Sequence, residues 1–178
     1  MAYRAAVPVE RSTISRRLAA EAVGTAFLLA AVVGSGIMGE RLSRGNMGLA
    51  LLANTMATGA ALVALILAFG SISGAHFNPA VTAMDAAHGG ILSSDVPGYV
   101  VAQVVGAVVG VAVANLMFGE PVIALSRHAR HGGAQLLSEA VATFGLLTTI
   151  AGAARHPQPA VVALAVGAYI AAAYWFTA

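Results

Sequence analysis

The stretch Ser73-Gly74-Ala75-His76-Phe77-Asn78-Pro79-Ala80-Val81-Thr82 breaks a long apolar run with a polar turn, and it restricts the possible folds more than any other feature. Asn is a preferred N-cap residue, because its side chain answers an orphaned backbone N–H. Pro is favoured at the first helical position, where it has no N–H to lose. Ala80 to Ala87 continue in residues a helix accepts, and His88-Gly89-Gly90 supplies a glycine stop. A helix from Asn78 to Gly89 rises about 15 Å, roughly half of a bilayer's ~30 Å hydrocarbon core. The spacing therefore predicts a half-helix that enters a membrane without crossing it.

Composition supplies the membrane. The chain is 59% hydrophobic and 9% charged, against about 25% charged in a soluble domain. Its net charge of +2 comes from nine arginines, no lysine and seven acids gathered between apolar runs, which argues against a nucleic-acid surface. With no cysteine there is no disulfide framework and no thiol chemistry. The first apolar run is long enough to span and is closed by no small-residue cleavage site, so the start of the chain is read as retained.

Residues 1–17 read as a solvated tail carrying Arg4, Glu10, Arg11, Arg16 and Arg17. Leu18 to Ile37 is a first spanning helix and Met47 to Phe69 a second, followed by the turn and half-helix. Tyr99 to Phe118, Gln135 to Ala154 and Ala160 to Phe176 make three more, with a long polar connection from Glu120 to Gly133. The expectation is an all-α integral membrane protein with five transmembrane helices and one re-entrant half-helix. With the N-terminus inside, that side holds Arg4, Arg11, Arg16, Arg17 and Arg155, and the other holds Arg41, Arg44, Arg127 and Arg130. The four arginines before the first helix favour a cytoplasmic start in a multi-pass cell-membrane protein.

The chain also repeats itself. Glu21-Ala22-Val23-Gly24-Thr25-Ala26-Phe27-Leu28-Leu29 aligns without gaps on Glu139-Ala140-Val141-Ala142-Thr143-Phe144-Gly145-Leu146-Leu147, identical at six of nine positions at an offset of 118 residues. Three spanning helices separate the two starts, so the second copy runs the opposite way through the membrane. This is an inverted repeat, with residues 18–132 as the first unit and 133–178 as an incomplete second one.

The motif SGAHFNPAVT between a spanning helix and a short helix, with EAVGT and EAVAT opening the halves, resembles the aquaporin and glycerol-facilitator (major intrinsic protein) family. The likeness runs from Leu18 onward. It implies six spanning helices, two half-helices whose Asn-Pro-Ala tips touch at the midplane, a pore in each subunit and a homotetramer. The partner of Asn78 falls near position 196 by the repeat offset, or near 185 by the spacing of Phe69 to Asn78. Both lie past Ala178, so the chain reads as a partial copy of a full channel.

A half-helix ending at the midplane points roughly half a positive charge and several free N–H groups into a channel, which repels cations. The amide NH2 of Asn78 would donate to a passing oxygen, favouring water and small neutral solutes over a hydrated proton. Pro79 and Ala80 complete that tip, and the carbonyls of Gly74, Ala75 and His76 would form a ladder of acceptors. The His76 side chain is read as satisfying its neighbours rather than as a pH gate. By the resemblance, Glu21 and Glu139 brace the loops that hold the half-helices. The resemblance also places Thr58, and less securely Ala172, at the narrowest constriction, both small enough to pass glycerol-sized solutes.

No metal site is expected, since His88, His128, His131 and His156 stand in loops without partners at ligand spacing. Cofactors and an enzymatic reaction are not implied either. The small faces Gly106/Gly110 and Ala60/Ala64 suit close helix contact, and Tyr99, Phe118, Tyr174, Trp175 and Phe176 suit an aromatic belt. Two competing readings stay open. A secondary transporter with a broken helix would want acids at the break, where only Asp85 is near, and a non-conducting structural subunit would fit half a pore.

Overall fold

The computed structural model describes residues 12–123 and 132–177, and within them every regular element is helical. The elements in order are α1 (Ile14–Leu42), α2 (Met47–Ser73), the short α3 (Pro79–Ala87), a 3-10 turn at Ser93–Asp95, α4 (Val96–Phe118), α5 (Gly133–Ala153) and α6 (Pro159–Ala173). Arg4, Glu10, Arg11, Arg127, His128, Arg130 and His131 lie outside the described residues.

Each boundary has a local cause. Thr13 caps α1 by accepting from the Arg16 N–H, so Arg16 and Arg17 belong to the first helical turn rather than to a tail. Asn46 caps α2 through the Leu49 N–H at 3.0 Å. The second helix outlasts its expected end at Phe69 and runs to Ser73, where Gly74 takes a left-handed φ of 92° and ends it. Pro79 and Pro159 start α3 and α6 at positions that need no N–H.

Four helices are long and apolar enough to cross a membrane: α1, α2, α4 (counted with its 3-10 turn) and α5. The fifth expected span is an apolar helix of 15 residues, rising about 22 Å. It gives way to a turn at Tyr174, Trp175 and Phe176, which the sequence pattern had assigned to helix. At nine residues, α3 has the length expected of a half-helix.

In a bilayer the lipid is as apolar as a leucine side chain, so helices associate through close packing and polar contacts rather than hydrophobic burial. Here α1 packs on α2 and α4, α2 on α6, and α5 on α6, while α3 is held against α4 and α5. Gly106 and Gly110 on α4 lie against the backbone of Ala22 and Ala26 on α1, with no room for a Cβ at either. The other predicted small face is unused, since Ala60 and Ala64 are exposed. Instead α2 meets α6 at Gly59 and Gly167, where a Cβ on Gly59 would lie 3.1 Å from the Gly167 carbonyl oxygen. Val81, Leu146 and Val166, from α3, α5 and α6, form a small apolar cluster that seats the half-helix.

These contacts predict that Gly106→Leu lowers stability by about 1–3 kcal/mol through overpacking, whereas Ala60→Leu stays within about 0.5 kcal/mol. Thermal unfolding in detergent micelles checks both, and equal effects would contradict this assignment of the packing faces.

Candidate functional site

The polar centre of the molecule is the carboxylate of Glu21, fully buried on α1. Its Oε1 accepts from Ser73 Oγ at 2.6 Å and from the His76 N–H at 3.0 Å, and its Oε2 accepts from the Phe77 N–H at 2.8 Å and Gln103 Nε2 at 2.8 Å. Four donors fill the acceptor sites of an ionised carboxylate. Burying such a charge is tolerable only with this degree of satisfaction.

The loop held there is bent in an uncommon way. Gly74, Ala75 and Phe77 all have positive φ, at 92°, 51° and 49°. In the two non-glycine residues this conformation costs about 1–2 kcal/mol each. The strain has a visible return. The Ala75 N–H donates to Ser73 Oγ, while those of His76 and Phe77 donate to Glu21, so three successive N–H groups turn to one side. In a planar trans peptide the preceding C=O points the opposite way. The carbonyls of Gly74, Ala75 and His76 are therefore turned away from Glu21 as a row of acceptors. The Phe77 ring anchors the bend by lying on Gly24, where no Cβ would fit, and it meets Phe69 edge-on at 6.2 Å.

Asn78 follows this loop as the cap of α3. Its Oδ1 accepts from the Ala80 N–H at 2.8 Å, which leaves its NH2 group directed away from the helix. Asn78 and Ala80 are half-buried and Pro79 is exposed, so the tip remains accessible. The His76 side chain points inward and is only 7% exposed. Its Nδ1 lies 3.1 Å from Thr82 Oγ1, and its Nε2 lies 3.4 Å from Asp85 Oδ2. Only its backbone belongs to the carbonyl row.

Two residues that the sequence reading passed over complete the site. Gln103 on α4 is buried and bridges Glu21 to Thr82 Oγ1 at 3.0 Å. It was legible as the one polar side chain between Tyr99 and Asn115. Tyr99, expected in an interfacial belt, is fully buried, and its hydroxyl donates to the Ser73 carbonyl at 2.9 Å. Together with Ser12 Oγ, which donates to the Ile72 carbonyl at 2.6 Å, it satisfies carbonyls that the end of α2 leaves unpaired. Arg17 stacks over the Tyr99 ring and pairs with Asp95 at 2.8 Å, which closes this end of the bundle.

The remaining predicted residues lie apart from this network. Glu139, read as a second brace, is exposed on α5 with its carboxylate 3.4 Å from Gln135 Nε2. Thr58 is buried on α2, its Oγ1 3.2 Å from the Tyr174 hydroxyl and 3.4 Å from Asn54 Oδ1. Ala172 is exposed, so Tyr174 rather than Ala172 faces Thr58 across the α2–α6 contact. Among the described residues no three His, Cys, Asp or Glu side chains gather as metal ligands. A cleft of about 380 Å³ lies at the other end of α1, beside the Arg41–Glu120 salt bridge, and belongs to that pair rather than to the half-helix.

Comparison with known proteins identifies the chain's relatives. Residues 8–178 match the family described as Major intrinsic protein. The chain is 53% identical over 165 residues to the aquaglyceroporin AqpS of Rhizobium meliloti, covering 93% of this chain and 70% of that protein. It is 34% identical to aquaporin NIP1-1 of Zea mays over 87% of this chain and 55% of the relative, and 34% identical to aquaporin Z of Bradyrhizobium diazoefficiens over 85% and 68%. The chain thus spans between about half and seven-tenths of the length of these relatives.

The contrast between the two glutamates gives a direct test. Glu21→Gln places an amide among four donors and should cost at least about 2–3 kcal/mol, the scale of hydrogen bonds to a charged group. Glu139→Gln should stay within about 0.5 kcal/mol. Limited proteolysis and thermal unfolding of the purified variants measure the difference, and similar behaviour of both would remove Glu21 from its central place.

Proposed function

Because the chain belongs to the major intrinsic protein family, whose members are channels and not enzymes, we propose that it forms a passive transmembrane path for water and glycerol-sized neutral solutes that excludes ions and protons. The observation that carries this reading is the arrangement at Asn78: an NH2 donor at the tip of a half-helix, preceded by three carbonyls turned the same way.

The chemistry follows from these groups. A water molecule or alcohol moving along the loop donates its O–H groups to the carbonyls of Gly74, Ala75 and His76, which replace part of its hydration. At the tip its oxygen accepts from the Asn78 NH2. Each such bond occupies one of that oxygen's two lone pairs and so lowers its capacity to take a proton from its neighbour in the file. The N-terminus of α3 adds roughly half a positive charge at that point and opposes any cation.

Selectivity by size is assigned to Thr58, whose side chain is smaller than an aromatic one and lies against the Tyr174 hydroxyl at 3.2 Å. The printed name of the aquaglyceroporin relative supports a solute larger than water. The proposal includes two oppositely directed repeat units, 18–132 and 133–178, a cytoplasmic N-terminus and assembly as a homotetramer in the lipid bilayer.

Stopped-flow light scattering of proteoliposomes tests the reading. Water permeability above that of empty vesicles, with solute flux linear in the gradient, is the expected result. Permeability equal to empty vesicles would assign the chain to the non-conducting alternative, and saturable, gradient-coupled uptake would assign it to a transporter. In conducting vesicles, Thr58→Phe should suppress glycerol flux more than water flux, and equal loss of both would displace Thr58 from the constriction.

A further inference from the structure

One polar side-chain pair, a buried imidazole and a partly exposed carboxylate, has no part in the path just described. The His76 imidazole sits between α3 and α4, with Thr82 Oγ1 at 3.1 Å from Nδ1 and Asp85 Oδ2 at 3.4 Å from Nε2. Room for it comes from two glycines. A Cβ on Gly74 would lie 2.8 Å from His76 Nε2, and a Cβ on Gly90 would run into the Asp85 carboxylate. Both therefore accommodate the pair, in addition to any role in chain reversal.

Counting protons shows what the pair does. The Thr82 hydroxyl has one proton to give and lies 3.1 Å from the Asn78 carbonyl. It also accepts from Gln103 Nε2, whose identity as the amide nitrogen is fixed by its second bond, to the Glu21 carboxylate. When His76 carries both protons, Nε2–H faces Asp85, Nδ1–H donates to Thr82, and the hydroxyl proton is free to bind the Asn78 carbonyl. When His76 is neutral, Asp85 retains the Nε2 proton, because a bare nitrogen lone pair facing a carboxylate is repulsive. Nδ1 then needs a donor, and the Thr82 hydroxyl must leave Asn78 to supply it.

We propose that Asp85 is a positioning residue of the pore: it fixes the ring proton of His76 on Nε2 and, through the Thr82 hydroxyl, sets the first turn of the half-helix that carries Asn78. The inference rests on the channel reading for its consequence, though not for its geometry. Other charged or titratable groups around the ring are already committed. Glu21 from α1 is saturated by its four donors, Tyr99 from α4 lies 5.4 Å away ring to ring with its hydroxyl on Ser73, and Arg17 is paired with Asp95. Asp85 is the one carboxylate among the described residues that reaches a ring nitrogen of His76.

The test combines two measurements on the whole chain. In nanodiscs, 15N spectra of histidine-labelled protein record which ring nitrogen of His76 holds the proton in the neutral form, with the signal assigned by its loss in His76→Gln. The wild type should be the Nε2–H tautomer. Asp85→Ala should shift the tautomer ratio toward Nδ1–H by roughly tenfold, about 1.4 kcal/mol, and Asp85→Glu should restore it. In proteoliposomes, Asp85→Ala should change water permeability severalfold, with reversal by Asp85→Glu. An unchanged tautomer ratio in Asp85→Ala overturns the proposal, and so does a permeability equal to that of a conducting wild type. If the wild type itself matches empty vesicles, the channel reading has failed, and the tautomer ratio alone decides whether Asp85 positions His76.

Discussion

The structure depends on one buried carboxylate. A loop that descends into a membrane carries backbone groups that neither water nor lipid can satisfy, and each unpaired group costs several kcal/mol. Glu21 answers two backbone N–H groups and one hydroxyl of that loop from a single position on a neighbouring helix. It can do so only as an acceptor, because every group presented to it is a donor. That one-sided demand makes a carboxylate suitable and forces the opposite faces of the same peptides to carry only carbonyls. The acceptor row turned away from Glu21 is thus the other half of the brace, and both follow from the same three peptides.

The brace requires short distances, and the small residues provide them. Glu21 and Gln103 meet because α1 and α4 touch backbone to side-chain-free backbone at Gly106 and Gly110. Phe77 keeps its left-handed conformation because Gly24 leaves a bed for its ring. A larger residue at any of these positions would separate the helices by more than a hydrogen bond can stretch. Packing and polar satisfaction are therefore a single constraint here, and in a bilayer neither is supplied by the hydrophobic effect.

Much of this was legible in the sequence because apolar length and helix punctuation are local signals. The half-helix, its Asn78 cap, its Pro79 start and its glycine stop follow from the types of neighbouring residues, and the long spans follow from apolar runs between arginine-bearing loops. The parts that were missed are tertiary. Tyr99 reads as an interfacial aromatic until the end of α2 is seen to need its hydroxyl, and Gln103 reads as an incidental polar residue until Glu21 and Thr82 lie on either side of it. Likewise the pattern of small residues did not separate the used pair, Gly106 and Gly110, from the unused Ala60 and Ala64. Which face of a uniformly apolar helix turns inward is decided by its neighbours. The exchange of Ala172 for Tyr174 opposite Thr58 has a similar origin, since it depends on where α6 ends and its chain turns back.

The repeated nonapeptide shows how far local sequence determines a side chain's surroundings. Glu21 and Glu139 open nearly the same nonapeptide, yet one is fully buried with four donors and the other is exposed beside a single glutamine. A carboxylate gains a bracing role only when another segment presents donors to it, and Glu21 has the Ser73–Phe77 loop and Gln103 opposite. The shared nonapeptide therefore does not by itself assign a contact; the segment packed against each copy does. Asp85 illustrates the same rule from the other direction: it lies outside both the repeated nonapeptide and the SGAHFNPAVT stretch, and its contact is set by the histidine that the loop folds back against it.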